Sequence, residues 1–343
     1  MSHDPPKRRR TSGRVRLADV AHAAGVSPIT ASRVLRAPDT VHPDTRERVL
    51  QAVQRLGYVP DLAARTLASA QSNLVVVLVP MLSNALFVDL LEAAHAVLFE
   101  RGYSLMIGVT HYSPAEEETL LRTYLSHRPA GLLLTGLDQT PQTQALLQGS
   151  GCPWIHVMEL AQRHDRHCVG FSQQAAAAAM TEHLIDQGHR RIAFAAAQLD
   201  PRTLQRLAGW RATLQAHGLH DPALERLDPA PSSVPLGARM LESLHSNTQR
   251  RPDAIFFCND DLAQGALLAA QRLGLRVPEH LAIAGFNDLA GSADMVPPLT
   301  TVRTPRREIG HVAAQRLLAL MEGQAVEPGD VDLGFEVVVR GSA

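Results

Sequence analysis

Little in this sequence supports covalent, metal or membrane chemistry. Its 343 residues include three cysteines, Cys152, Cys168 and Cys258. They are widely separated, odd in number and show neither CxxC nor Cys/His ligand spacing, which favours reduced core thiols over disulfides or a zinc site. No apolar run approaches the ~20 residues of a membrane-spanning helix. The basic stretch Met1 to Arg16 leads into no apolar segment, so it lacks the core of a secretory signal. A cytoplasmic protein without membrane partners is the expectation. Neither a GxGxxG nor a GxxxxGK[ST] loop occurs, so no nucleotide cofactor is expected. Adjacent carboxylates stand at Glu116 to Glu118 and at Asp260-Asp261, but neighbours on a helix point about 100° apart and do not converge as an acid–base couple must. Enzymatic activity is therefore not expected.

What remains is ordinary in bulk, with 45% hydrophobic and 20% charged residues, and too long for one domain. The charge is unevenly spread. Before Ser72 there are 12 Lys and Arg against 6 Asp and Glu, while the remainder carries 21 against 28. A basic head on an acidic body suits phosphate binding by the head. The run Lys7-Arg8-Arg9-Arg10 alone reads equally as a solubilising tail, and residues 1–14 are expected to be disordered.

From Val15 the chain shows helix signals. Leu17, Val20, Ala21 and Ala24 keep helical spacing up to Gly25, Ser27 is placed as an N-cap before Pro28, and Ile29 to Leu35 continues a second helix. A third amphipathic segment, Pro43 to Gly57, puts Val49, Val53 and Leu56 on one face. Together they predict a three-helix helix-turn-helix headpiece over 15–59. In such a motif the second helix enters the major groove, which turns Pro28, Ile29, Ser32 and Arg33 towards DNA. Arg33 suits guanine or phosphate, Ile29 a thymine methyl, and Thr30 and Ser32 phosphates. A structural helical hairpin is the alternative reading.

Beyond Asn73 strands and helices alternate. The first series comprises strand Leu74–Val79, helix Phe87–Arg101, strand Leu105–Val109, helix Ala115–His127 and strand Gly131–Leu134. A second series is expected to open at Val169-Gly-Phe and to run through Ala175–Gln187, Ile192–Ala195, Leu204–His217, Met240–His245, Ala254–Cys258, Ala263–Leu273 and Leu281–Gly285. This rhythm predicts an α/β body with two parallel sheets and ligand at the carboxyl ends of the strands.

The residues Leu17-Ala-Asp-Val-Ala, Gly25-Val-Ser, Thr30-Ala-Ser-Arg-Val-Leu, Arg46-Glu-Arg-Val and Leu56-Gly-Tyr-Val-Pro resemble the lactose-repressor family, and the resemblance extends across nearly the whole chain. It implies a hinge helix and linker over 60–72, with Pro60 to Ala68 folding on the operator and Leu67 wedged into the minor groove. Asp61 departs from the asparagine usual there. The implied DNA contacts are Leu17, Ser27, Pro28, Ile29, Thr30, Ser32, Arg33, Ala64 and Leu67. The resemblance also implies a periplasmic-binding-protein-like body over 73–343, whose N-terminal lobe covers about 73–171 and 306–333 and whose C-terminal lobe covers about 172–305 and 334–343. The chain would cross between lobes near Ser172, Pro305 and Gly334. Implied effector contacts are Ser83, Asn84, Phe87, Glu159, Phe171, Arg206, Asn259 and Asn287.

Each has a structural alternative: Asp260 and Asp288 as helix caps, Phe87 and Phe171 as core rings, Arg206 in a surface ion pair. The cluster His164, Asp165, Arg166, His167 lacks ligand spacing and reads as a solvated loop rather than a metal site.

The expected function is a repressor with a palindromic operator and a small-molecule effector, working as a homodimer. No leucine-rich heptad segment suggests a tetramerising tail. A sugar-binding module without a regulatory role is the alternative from another class. Pro28-Ile29, Val169-Gly-Phe-Ser172 and His156-Val-Met-Glu159 are similar to the gluconate-operon branch of the family, which implies gluconate or a related or phosphorylated sugar acid as effector. Glu159 opposes that, since a carboxylate facing an anion repels it unless it accepts from hydroxyls or points away. Induction and corepression remain open, as does a neutral sugar.

Overall fold

The computed structural model describes residues 15–59, 72–82, 86–161, 165–246 and 249–343. The expected basic tail, the hinge segment with Ala64 and Leu67, and Ser83, Asn84 and His164 lie outside the described residues. The chain divides into two compact units, Met1–Gln71 and Ser72–Ala343.

In the first unit, helix α1 (Leu17–Ala24) starts where the Asp19 carboxylate accepts the Arg16 backbone N–H at 2.8 Å, and it stops at Gly25 with φ 64°. That left-handed conformation suits glycine. Helix α2 (Pro28–Arg36) opens with the Ser27 Oγ accepting the Thr30 N–H at 3.1 Å and with Pro28 in the first turn. Helix α3 (Pro43–Leu56) ends at Gly57. Their inward stripes, Val20, Ala21 and Ala24, Ala31 and Val34, Val49 and Ala52, make one small core. Val53 and Leu56, expected with Val49 on the core-facing side of α3, sit half-buried against this core, and Ala52 is buried beside Val49.

The second unit contains two six-stranded sheets. The first is built from β1 (Leu74–Val79), β2 (Ser104–Val109), β3 (Gly131–Thr135), β4 (Trp154–Val157), β5 (His167–Gly170) and β11 (Gly329–Asp332), in the order β11-β5-β4-β3-β1-β2. The second contains β6 (Ile192–Ala197), β7 (Glu225–Asp228), β8 (Ala254–Phe257), β9 (Ala282–Asn287), β10 (Thr300–Arg303) and β12 (Glu336–Val338), in the order β12-β10-β9-β8-β6-β7. Pairing is parallel except that β12 runs antiparallel to β10. Helices α4 (Leu86–Glu100), α5 (Pro114–Leu125), α6 (Pro141–Ser150) and α11 (Arg306–Met321) serve the first sheet; α7 (Gln173–Asp186), α8 (Pro201–Ala216), α9 (Val234–Ser246) and α10 (Asp260–Arg272) serve the second.

The segment at Val169 does not open the second series. It pairs with β4 and with β11, as an inner strand of the first sheet. The pairing partner arrives from far along the chain, so local pattern assigns the strand to the wrong series. Strands β5, β10 and β11 show the chain changing sheets between β5 and β6, returning after β10 and leaving again after β11.

Helices pair closely because glycines remove side chains where backbones meet. A Cβ on Gly265 of α10 would stand 1.9 Å from the Val234 carbonyl oxygen of α9, and one on Gly310 of α11 2.3 Å from that of Leu90 in α4. Real Cβ atoms do not approach so near. The core is apolar and continuous behind both sheets, with Phe171, Phe194, Phe256 and Phe286 fully buried.

Candidate effector cleft and DNA-binding face

On the headpiece, α2 presents Ile29 with 74% of its surface exposed. An isoleucine so placed contributes nothing to the three-helix core, where Ala31 and Val34 of the same helix are buried. Pro28 and Arg33 are exposed beside it. Thr30 and Ser32 are half-buried: the Thr30 hydroxyl lies 2.9 Å from that of Ser27, and Ser32 Oγ accepts from Arg36 Nη2 at 3.1 Å. Leu17, at the start of α1, packs against the core. Ser27 carries the cap described above.

In the second unit, each sheet reverses its strand order once, between β1 and β3 and between β6 and β8. At such switch points the flanking loops diverge and leave a crevice beyond the strand ends. Met81 after β1, Thr135 at the end of β3, Ala197 at the end of β6 and Asn259 after β8 all line one cavity of about 40 Å³. Phe87, Arg206 and Asn287 line it too.

Arg206, on α8, is 6% exposed. Its Nε donates to Gln173 Oε1 at 2.8 Å and its Nη1 to the Cys258 carbonyl at 2.6 Å, while the guanidinium carbon stands 3.9 Å from the centroid of the Phe286 ring. Both acceptors are neutral, and among the described residues Arg206 enters no ion pair. Burial pulls its pKa below the ordinary value. It is not the surface ion-paired arginine that an exposed helix would carry.

Asn287 ends β9 with φ 110°, and its buried Oδ1 has no hydrogen-bond partner among the described residues. Asn259 is the N-cap of α10, its Oδ1 accepting the Leu262 N–H at 3.2 Å and the Ser232 hydroxyl at 3.0 Å. The capping role expected of Asp260 thus falls to its neighbour. Asp260 is wholly buried and accepts from Leu289 N, Ser292 Oγ and Thr301 Oγ1, which tie the loop after β9 and strand β10 to the start of α10. Asp288 caps no helix either; it pairs with Arg303 and Arg340, each at 2.8 Å.

Glu159 and Phe171 are not in this cavity. They line a larger one of about 410 Å³ with Asp138, Ser172, Gln174 and Gln205. Phe171 is fully buried and stacks on Phe286 at 6.3 Å between centroids. Glu159 accepts from Arg202 Nη1 at 3.2 Å and from Gln205 Nε2 at 2.7 Å. Its charge is thereby balanced, although burial still raises its pKa.

Sequence reasoning missed Arg202. It lines the smaller cavity and stands among Asp200 at 3.0 Å, Glu159 at 3.2 Å and Asp138 at 3.6 Å, with the Tyr112 ring 5.8 Å from its guanidinium carbon. Burial works against its charge, but the three carboxylates hold its pKa above the ordinary value. Tyr112 is pushed up to about 12, by burial first and Asp200 second. The local signal, Asp200-Pro201 ahead of a helix, reads as a cap, and Asp200 does accept the Arg202 N–H. Gln173, buried between Arg206 and the Met158 carbonyl, was also missed. Among the described residues no cluster of His, Cys, Asp and Glu has metal-site geometry, and no helix is long and apolar enough to cross a membrane.

Comparison with known proteins agrees with both units. Residues 16–61 match the family described as bacterial regulatory proteins, lacI family, and residues 181–343 match a periplasmic binding protein-like domain. The chain is 51% identical over 336 residues to the HTH-type transcriptional regulator GntR of Pseudomonas aeruginosa, covering 98% of each. The crystal structure of the transcription regulator GntR from Chromobacterium violaceum aligns with TM-score 0.75 and 49% identity, over 78% of this chain and 98% of that one. The lac repressor dimer bound to operator and the anti-inducer ONPF aligns with TM-score 0.82 and 28% identity, over 96% and 99%. This chain belongs to the lacI family of bacterial regulatory proteins, and it is a DNA-binding transcriptional repressor rather than an enzyme.

Proposed function

We propose that the chain represses transcription by binding a palindromic operator as a two-fold dimer, and that a sugar acid of the gluconate type, bound in the cleft, controls that binding. The observation that carries the effector class is Arg206: a buried guanidinium whose only acceptors among the described residues are a side-chain amide and a carbonyl. A cation desolvated without a counter-charge is costly, and a carboxylate offers it the charge-assisted, paired geometry it lacks. Asn287 Oδ1, buried with no donor among the described residues, suits a ligand hydroxyl. Phe87 and Asn259 complete the polar and aromatic lining, and Ser83 and Asn84 are proposed as further contacts from the family resemblance. Glu159 and Phe171 are proposed to act at one remove, through Arg202 and through the Phe286 ring on which Arg206 lies.

A cavity of about 40 Å³ is well below the ~150 Å³ that accommodates a benzene-sized guest. A six-carbon acid therefore enters only as the lobes part. The effector then selects a relative lobe orientation, which alters DNA affinity through the hinge.

A thermal-shift panel of aldonates, phosphosugars and neutral sugars, followed by gel shift with each hit on palindromic fragments, tests this. Stabilisation by aldonates that also release DNA supports induction. Stabilisation by neutral sugars alone overturns the acid, and the absence of any retarded fragment at low salt overturns operator binding.

A further inference from the structure

A third cavity, of about 250 Å³, lies outside the cleft, where α6 meets the start of β4. It shares no lining residue with the two cavities of the cleft. Its composition is unusual for a helix–sheet contact. Leu147 is buried and packs with Val76, Leu78, Leu132 and Leu134 as such contacts require. Gln144 and Gln148, four residues apart and so on one face of α6, put amides where apolar side chains would close the gap. On the strand side stand Trp154 and His156, two residues apart and so on one face of β4.

Several hydrogen-bonding groups here lack partners. Gln139 is 6% exposed and its Oε1 is buried with none. The side chains of Gln148 and Arg166 make no hydrogen bond or ion pair among the described residues. His156 is not one of these groups: its Nδ1 donates to the Gly136 carbonyl at 2.9 Å and its Nε2 accepts from Trp154 Nε1 at 3.2 Å. Burial brings its pKa down to about 4, so it adds no positive charge. With His156 neutral and both its nitrogens engaged, the charged side chains of the lining are Arg166 and Asp165, and of the two the Asp165 carboxylate already has an interaction of its own while the Arg166 guanidinium is available.

We propose that this cavity is a second small-molecule site, separate from the interlobe cleft, which takes a small hydroxylated anion. The acidic group pairs with the Arg166 guanidinium, whose fork matches phosphate and carboxylate alike. Hydroxyls reach the amides of Gln139, Gln144 and Gln148, and the apolar face of the ligand lies on the Trp154 indole. The site is connected to the cleft by the four-residue stretch Gly136 to Gln139. Gln139 Nε2 donates to the Gly136 carbonyl at 3.3 Å and to Glu117 Oε1 at 3.1 Å, and Asp138 between them stands 3.6 Å from Arg202.

The chain has two tryptophans, Trp154 in this cavity and Trp210 in the core of the second lobe, so the site carries its own optical reporter. Glycerol 3-phosphate and glycerate are titrated into the full chain, with glycerol and inorganic phosphate as controls, and followed by tryptophan emission and by calorimetry. Saturable binding of a hydroxylated anion is expected. Arg166→Ala should weaken it by about tenfold or more, Trp154→Phe should remove the optical change while heat persists, and Arg206→Gln should leave it unaltered. Neither heat nor emission change up to about 10 mM of probe overturns the proposal. So does binding lost in Arg206→Gln but kept in Arg166→Ala, which assigns the anion to the cleft. Phosphate binding as tightly as glycerol 3-phosphate overturns the role of the amides.

Discussion

Arg202 Nη1 lies 3.2 Å from Glu159 Oε2, joining a helix of the second sheet to the loop after β4 of the first. The two side chains are 8% and 3% exposed, so the pair is a buried bond across the cleft, with Asp138 and Gln205 adding one more link from each side. Removing one member of a buried pair leaves the other charge stranded. Arg202→Met is expected to lose about 3 kcal/mol in urea unfolding, and the double variant with Glu159→Gln should regain only the part due to Glu159, because Asp200, 3.0 Å from the guanidinium and equally buried, stays stranded. Equal stability of Arg202→Met and the parent would show that the pair is not buried as described.

Arg206→Gln separates ligand binding from DNA binding. A charge-assisted hydrogen bond to a buried partner is worth about 1.5–3 kcal/mol, so aldonate affinity in calorimetry should drop by roughly 10-fold to 150-fold. Operator retardation should persist and should no longer respond to the effector. Simultaneous loss of operator binding would point to misfolding of the body instead.

Ile29 separates DNA affinity from stability. With most of its side chain in solvent, Ile29→Ala should change headpiece stability by no more than about 0.5 kcal/mol and still weaken operator binding. Arg33→Ala should cost about 1–3 kcal/mol of discrimination between operator variants. Gel shifts at fixed salt measure both; full affinity in both variants would mean that α2 does not face the groove.

Glu117 predicts a pH dependence. Its carboxyl is buried, which pushes its pKa up to about 7 against the accepting bond from Gln139 and aided by Asp138. A raised carboxyl pKa favours the folded state while the group is protonated. Its stabilising contribution is complete below the unfolded value near 4.5 and is lost as pH rises towards about 7. His156, held down to about 4, acts in the opposite sense, losing stability as pH falls below its unfolded value. The difference between the parent and Glu117→Gln isolates the carboxyl. From pH 4.5 to pH 7 the parent should lose up to about 3 kcal/mol relative to the variant, and parallel curves would refute the assignment.

The headpiece was legible because short-range signals define it: a serine cap, a proline in the first turn, glycines at positive φ, each acting within a few residues. Strands β1, β3, β6 and β9 were legible as buried apolar runs. Strands β4, β7, β10 and β11 carry no such pattern. Gly329–Asp332 alternates aspartate with valine and glycine at a sheet edge, and Glu225–Asp228 carries three charges in four residues, so their strand character comes from partners rather than composition. Helix α6 was missed for a related reason: glutamines flank its single deeply buried leucine. Arg206, Asn259 and Asn287 were selected through family positions. Arg202 escaped because its meaning depends on Asp138 and Glu159, which only the folded chain brings within reach.

The three crossings between sheets carry a consequence for biosynthesis. The first sheet needs β11, and the α4 face needs α11, both of which emerge from the ribosome after ten strands have already been made. The first lobe therefore waits, with β5 lacking one neighbour and the Leu90 backbone uncovered, while the second lobe is translated almost in full. The second in turn closes only with β12 and Ser342, whose hydroxyl bonds to the Ile283 carbonyl at 2.6 Å. Neither lobe is a contiguous cassette that could be cut out or grafted alone, and a nascent chain stalled before residue 306 would expose half-finished surfaces of both.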